Sequence, residues 1–296
     1  MRQWVVVALA LAVLGSPAKA EVAFDEAGVK DRMMVVFDKS VPAADQKAMA
    51  ARHGLEVIRE FAPMNAIVVR PLPGKSLPSL SSVKGEVGVL AAGHDEWRYW
   101  LDADAAALRQ APLPSVGAVM KALPRLGKTV GKAEEIQWGV RRVNAPAAWA
   151  RNNSGRGVKV GIVDTGIDPT HPEFAGRVVG GKNAIDDNQP WADDHSHGTH
   201  VAGIVAAALD NNGVVGVAPA ANLYGIKVLT KEGSGSIFSI IGGIMWCVQN
   251  GMDVVNMSLG AAQGNQLFEM AVNQLASADI PLIAAAGNDG KAVNFP

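Results

Sequence analysis

Two patterns in the sequence predict an α/β protein on a doubly wound parallel sheet, preceded by a small α+β unit. From Glu134 onward, apolar runs alternate with longer helical stretches, and several runs are apolar throughout rather than at every second residue. A strand of that kind is buried on both faces, the condition of a parallel sheet covered by helices. Ahead of it, residues 31–93 carry the order strand, helix, strand, strand, helix, strand, which is that of a split βαβ sandwich.

The elements follow in order. Arg2, the apolar run Val5 to Leu14 and Ala18-Lys19-Ala20 form a secretory signal over residues 1–20, cut after Ala20. Ten apolar residues are too few to span a bilayer, which takes about 20, and no later run approaches that length. The expectation is therefore a secreted or periplasmic protein with no membrane attachment after signal cleavage. Residues 21–100 form the small unit, with strands at Met33 to Phe37, Leu55 to Phe61, Asn65 to Arg70 and Val87 to Ala91. Its helices fall at Pro42 to His53, stopped by Gly54, and around Leu77 to Val83. Residues 101–133 are Pro- and Gly-interrupted and basic, and read as a linker open to proteolytic nicking. Residues 134–296 carry strands at Val158 to Val163, Leu223 to Val228, Val254 to Met257 and Leu282 to Ala285. Helices alternate with them at Ala145 to Arg151, Thr199 to Ala208, Ser236 to Gln249 and Leu267 to Ser277.

Composition narrows the function classes. Of 296 residues 49% are hydrophobic and 19% charged, which suits a soluble globular chain of about two domains and excludes a disordered or collagen-like one. Lys and Arg number 27 against 28 Asp and Glu, with no block of like charge, so nothing points to nucleic acid or an anionic membrane. Cys247 is the only cysteine, so no intramolecular disulfide can form.

In a doubly wound sheet, ligands bind beyond the carboxyl ends of the strands. Three polar residues stand there: Asp164 at the end of GIVDTGID, Ser258 in DVVNMSLG and Asn288 in LIAAAGND. A carboxylate ending an apolar strand is costly unless paired. Asp164 reads as a turn or cap residue before Gly166 or as a functional group. A nucleotide site is disfavoured, because no GxGxxG or Walker spacing follows the strand. His195, His197 and His200 lie in HSHGTHVAGIVAA, where Gly198 and later small residues allow close helix packing. His197 then sits near a helix N-terminus, whose dipole keeps the imidazole neutral and able to accept a proton. The same histidines fit a zinc-hydrolase HxHxDH pattern except at Thr199, and they also fit purely local hydrogen bonding. The acidic stretch Asp186, Asp187, Asp193, Asp194 reads as a solvated loop.

VDTGID, then HGTHVAG 33 residues from Asp to His, then NMSLG, then AAAGN 91 residues past His197, together resemble the subtilase family of serine peptidases. GVAP at Gly216 to Pro219 and GSGS at Gly233 to Ser236 extend the likeness, which covers residues 134–296. Residues 31–100 resemble, more weakly, the ferredoxin-like inhibitory propeptide of that family. The resemblance implies a subtilisin-like fold, incomplete at the C-terminus, with Asp164 as triad acid, His197 as general base and Asn288 as oxyanion donor. It implies that Gly233, Ser234, Gly235, Ser258, Leu259 and Gly260 are edge segments pairing with an extended substrate, although Ser234 also suits a plain turn. It implies structural calcium at Glu134, Glu173 and Asp210, with no organic cofactor; Asp210 to Gly213 also reads as an ordinary polar turn. Protein or peptide substrates and the chain's own propeptide, as intramolecular inhibitor, are the implied partners.

One departure stands out. The family nucleophile lies in a GTSMA-like motif tens of residues beyond the oxyanion Asn, and no serine here has that context. Ser258 does not substitute, since its place is the substrate-binding edge. The expectation is a secreted endopeptidase zymogen whose sequence is cut off before the catalytic serine and which is inactive as it stands. The alternatives are an inactive homologue, or a binding protein whose propeptide-like unit inhibits another protease.

Overall fold

The computed structural model describes residues 23–101, 134–261 and 263–288. The signal expected over 1–20 and nearly all of the linker expected over 101–133 lie outside them. The first sheet contains β1 (Met33–Phe37), β2 (Leu55–Phe61), β3 (Ala66–Pro71) and β4 (Val89–His94), with α1 (Ala43–Arg52) and α2 (Leu80–Lys84) between them. Its order is β2-β3-β1-β4, antiparallel throughout, so the expected split βαβ order holds. All five residues of β1 are buried because its two faces meet different cores. Met33, Val35 and Phe37 pack with Met49 and Leu55 on the α1 side. Met34 and Val36 pack with Phe61, Met64 and the apolar residues of a helix from the second half of the chain.

That second half is a five-stranded, wholly parallel sheet of order β11-β10-β6-β8-β7. It consists of β6 (Lys159–Asp164), β7 (Val178–Asn183), β8 (Asn222–Lys227), β10 (Val254–Met257) and β11 (Leu282–Ala284). Helices α5 (His197–Ala206), α6 (Ile237–Gln249) and α7 (Gln266–Ser277) cover it. The central strand β6 is buried from Val160 to Asp164, as its unbroken apolar pattern requires. β7 was not expected: Val-Val-Gly-Gly-Lys-Asn has only two apolar residues, because it is an edge strand buried only at Asn183. Its glycine is obligatory at Gly181, where a Cβ would run into Gly225 O and the Trp191 ring. The helix expected over Ala145 to Arg151 is α4 (Ala145–Trp149), and a short helix that was not expected, α3 (Trp138–Arg142), precedes it. Asn144, at φ +59°, breaks them apart, and Pro146 starts the second.

The two sheets share one core through α6. Ile237, Phe238, Ile240, Ile241 and Ile244 are all fully buried between them. Polar contacts fix the docking. Asp95, on the turn after β4, accepts the Phe238 amide (3.1 Å) with Oδ1 and so closes the N-terminus of α6 from outside its own half of the chain. Arg32 Nε lies 3.0 Å from Asp95 Oδ2, both side chains being inaccessible to solvent. Burial pushes the Asp95 carboxyl up to about 6, against the opposing pull of Arg32. Arg59 reaches across to Ala184 O (3.1 Å) and stacks on the Phe24 ring (4.1 Å). After Asp95 the chain continues as β5 (Trp97–Tyr99), which pairs antiparallel with β9 (Ser234–Ser236). No helix among the described residues is long and apolar enough to cross a membrane.

Candidate active site

The site grows from the carboxyl end of β6. Asp164 has no exposure to water. Its Oδ1 accepts the Thr165 amide (2.7 Å), and His197 Nδ1 lies 2.8 Å from Oδ1 and 2.9 Å from Oδ2. Thus the buried charge is met by one amide and one imidazole. The chain makes this approach possible with two glycines. Gly166, at φ +107°, turns the strand exit where a Cβ would strike Trp191 O. Gly198 follows His197 at the start of α5, and a Cβ there would run into Gly166 O and lie 3.2 Å from Asp164 Cβ. The Gly198 amide donates instead to Thr165 Oγ1 (3.0 Å). His197 is the first helical residue of α5, and its side chain is about 31% exposed. With Nδ1–H directed at the carboxylate, the opposite ring nitrogen, Nε2, carries the lone pair. This is the tautomer a general base needs.

The acidic stretch read as a solvated loop is a correction. Asp193 Oδ1 accepts Thr165 Oγ1 (2.8 Å), His195 N (2.8 Å) and Ser196 N (3.0 Å), and Oδ2 accepts Thr199 N (2.9 Å) and Oγ1 (2.6 Å). Burial raises its pKa, but the Thr199 hydroxyl, the His195 and Thr199 amides and the Thr165 hydroxyl outweigh burial and hold it below the ordinary Asp value. Asp194 Oδ1 bonds to Lys227 Nζ (2.6 Å), a nearly buried lysine that also donates to Thr165 O and Leu229 O. Asp187 pairs with Lys182 and Arg59. Asp186 alone serves a local turn, accepting from Asn188.

The zinc reading of the three histidines also falls. His197 is turned to Asp164, His195 Nδ1 accepts the His197 amide (3.2 Å), and His200 sits exposed one turn along α5. Among the described residues, no three His, Cys, Asp or Glu side chains are grouped to hold a metal.

Beyond β6 and β10 lie the edge segments. Gly233, Ser234 and Gly235 flank or form β9, so Ser234 is a buried strand residue bonded to Thr230 (3.0 Å) as well as a turn neighbour. Residues 97–101 lie along this edge. Tyr99 pairs with Ser234 and Arg98 with Gly235, Trp100 N donates to Gly233 O (3.1 Å), and Gly260 N donates to Trp100 O (3.3 Å). The segment is thus paired with β9 on one side and held by the single Gly260 bond on the other, and the Trp100 indole, 5% exposed, bonds to Gly235 O (2.9 Å). Its docking was not legible in advance, since Trp97 to Leu101 carry no motif. Leu259 is buried, and Ser258 Oγ accepts from Asn256 (2.9 Å). Asn288 stands on the exposed loop after β11. Since β6, β10 and β11 are parallel neighbours, Asp164, Ser258 and Asn288 all follow strand ends on the same side of the sheet.

Glu134, Glu173 and Asp210 gather around the loop 209–214. Glu134 Oε1 accepts the Asp210 amide (3.0 Å), Glu173 Oε1 the Val214 amide (3.2 Å) and Asp210 Oδ1 the Asn212 amide (3.0 Å). Glu173 Oε2 is buried without a hydrogen-bond donor, an orphan of the kind a hard cation satisfies. The three carboxylates do not themselves form a cage.

Comparison with known proteins adds to this geometry. Residues 155–296 match the model of the subtilase family. The chain is 41% identical over 184 residues to a thermostable alkaline protease of Halalkalibacterium halodurans, covering 62% of this chain and 49% of that one. It is 44% identical over 165 residues to subtilisin Savinase of Lederbergia lenta, covering 55% and 60%. To subtilisin E of Bacillus subtilis it is 43% identical over 159 residues, covering 53% and 41%. The chain spans about half the length of the curated relatives it matches.

Replacing Gly198 by alanine should be disproportionately harmful for one methyl group. The Cβ has no space between Gly166 O and Asp164, so α5 must shift. Urea unfolding should show a loss of about 2–3 kcal/mol. A stability within 0.5 kcal/mol of the parent would contradict the tight approach of α5 to β6.

Proposed function

Residues 155–296 belong to the subtilase family, and from that premise we propose that the protein is a secreted serine endopeptidase made as a zymogen. The observation that carries the proposal is the buried Asp164 carboxylate 2.8 Å from His197 Nδ1 at the carboxyl end of a parallel sheet. In the proposed reaction, His197 Nε2 accepts the proton of a serine hydroxyl as that oxygen attacks the scissile carbonyl, then returns it to the leaving amine. Asp164 fixes the tautomer and stabilises the imidazolium that forms. Asn288 donates its side-chain amide to the oxyanion. The serine belongs to a motif absent from these 296 residues, so this chain by itself is proposed to cut no peptide bonds. The edges Gly233-Ser234-Gly235 and Ser258-Leu259-Gly260 are proposed to pair with an extended substrate.

Residues 21–100 are proposed as the inhibitory propeptide, and 101–133 as the region of processing. Support comes from the segment 97–101, whose β5 pairs with β9 where substrate backbone is proposed to lie. Calcium is proposed as a structural ion beside loop 209–214, with Glu173 as a ligand and Glu134 and Asp210 ordering the loop; bound there, it would neutralise the buried carboxylate.

In the complete catalytic domain, His197→Ala should lower kcat by about three to six orders of magnitude, the range seen when a triad loses its base, while His195→Ala keeps most activity. Equal losses from both would revive a metal role for the histidines. N-terminal sequencing of the secreted, active enzyme should give a start between residues 97 and 135. Active enzyme beginning at Glu21 would remove the zymogen reading. Adding calcium to chelator-treated protein should raise Tm by several degrees, whereas an unchanged Tm would count against the ion.

A further inference from the structure

A general base at the first residue of a helix faces a conflict. The helix dipole and the unbonded amides of the first turn disfavour the charged imidazolium, yet catalysis requires that imidazolium to form. Asp193 stands where that conflict is resolved. Its five hydrogen-bond donors are three backbone amides and two hydroxyls, all neutral, so these bonds leave its negative charge unopposed by a cation. Two of the amides, Ser196 N and Thr199 N, belong to the opening of α5 on either side of His197. The Thr165 hydroxyl that donates to Asp193 accepts the Gly198 amide and follows Asp164 directly in the chain. One carboxylate thus joins the residue after the proposed acid to the residues flanking the proposed base.

We propose that Asp193 is a positioning residue for the Asp164–His197 pair: it closes the N-terminus of α5, ties that helix to Thr165, and supplies negative charge that raises the basicity of His197. The inference rests on the reading of His197 as general base. Other charged and titratable groups of the described residues stand near this part of the fold. Asp164 contacts it from β6, and His195 lies edge-on with ring centroids 6.1 Å apart. Lys227, from β8, is matched by Asp194. Asp168 is engaged with the Thr170 amide and hydroxyl, and His200 is exposed on the next turn of α5. Adjacent acidic residues therefore divide the work: Asp194 neutralises a buried lysine, and Asp193 serves the helix and its histidine.

The test is an NMR titration of the histidine rings in the 296-residue chain, with His197 assigned by a His197→Gln variant. Asp193→Asn keeps the shape and removes the charge, Asp193→Ser keeps a neutral cap, and Asp193→Glu keeps the charge. The His197 midpoint should fall by about 0.5 unit or more in the two neutral variants, as expected for a charge lost a few ångströms from the ring's helix turn. It should largely recover in Asp193→Glu, while His53, in the first sheet's unit, stays unchanged. An unmoved His197 midpoint in folded Asp193→Asn or Asp193→Ser would overturn the proposal. Failure of both neutral variants to fold would overturn it too, by reducing Asp193 to a structural cap. The readout needs no proteolysis, so a protein without peptidase activity could still show the shift, and the two readings fail separately.

Discussion

A carboxylate with no access to water, at the end of the central strand of a parallel sheet, is the constraint on which the rest of this structure turns. Left alone, Asp164 would cost several kcal/mol of desolvation. It is satisfied by bringing a helix N-terminus against the strand exit, and that approach dictates its neighbours. Gly166 must take a positive φ, Gly198 must lack a Cβ, and the amides freed at the start of α5 must find acceptors. The acceptors are Thr165 and Asp193, so the polar groups around His197 form one connected set rather than a list of contacts.

The same economy joins the two halves of the chain. α6 is apolar nearly all round because one side covers the parallel sheet and the other receives Met34, Val36 and Phe61 of the first unit. Its N-terminus takes Asp95 from that unit, and Asp95 in turn holds Arg32. Burying this pair carries a desolvation cost that only the packed interface offsets, so ion pair and apolar contact stand or fall together. The docked unit sends residues 97–99 into pairing with Ser234–Ser236, so the same unit that covers α6 also meets the edge segment before it.

Much of this was legible in the sequence. Unbroken apolar runs located β6, β8 and β10, because burial on both faces leaves no polar positions to obscure them. VDTGID and HGTHVAG marked Asp164 and His197 through their resemblance to the subtilase family, and the structure gives the reason for the small residues: strand exit and helix start pack too closely for a Cβ at Gly166 or Gly198. What escaped has physical reasons as well. β7 is an edge strand with two glycines, and β5 and β9 are three-residue strands that exist only through pairing with each other. Asp193 and Asp194 look like solvated loop residues when counted as charges; only three-dimensional placement shows that their donors come from the turn after β6, from the entry and first turn of α5, and from β8. The carboxylates of Glu134, Glu173 and Asp210 were singled out by the resemblance, and in the structure they accept the amides of one loop.

The central claim is that the Asp164 carboxylate fixes His197 as the Nδ1–H tautomer. Proton NMR of the ¹⁵N-histidine-labelled chain observes that proton directly. The account predicts a strongly downfield, exchange-protected Nδ1–H resonance assigned to His197 that disappears when Asp164 is replaced by alanine. A His197 ring protonated at Nε2 alone at neutral pH, or an Nδ1–H signal indifferent to Asp164→Ala, would contradict it.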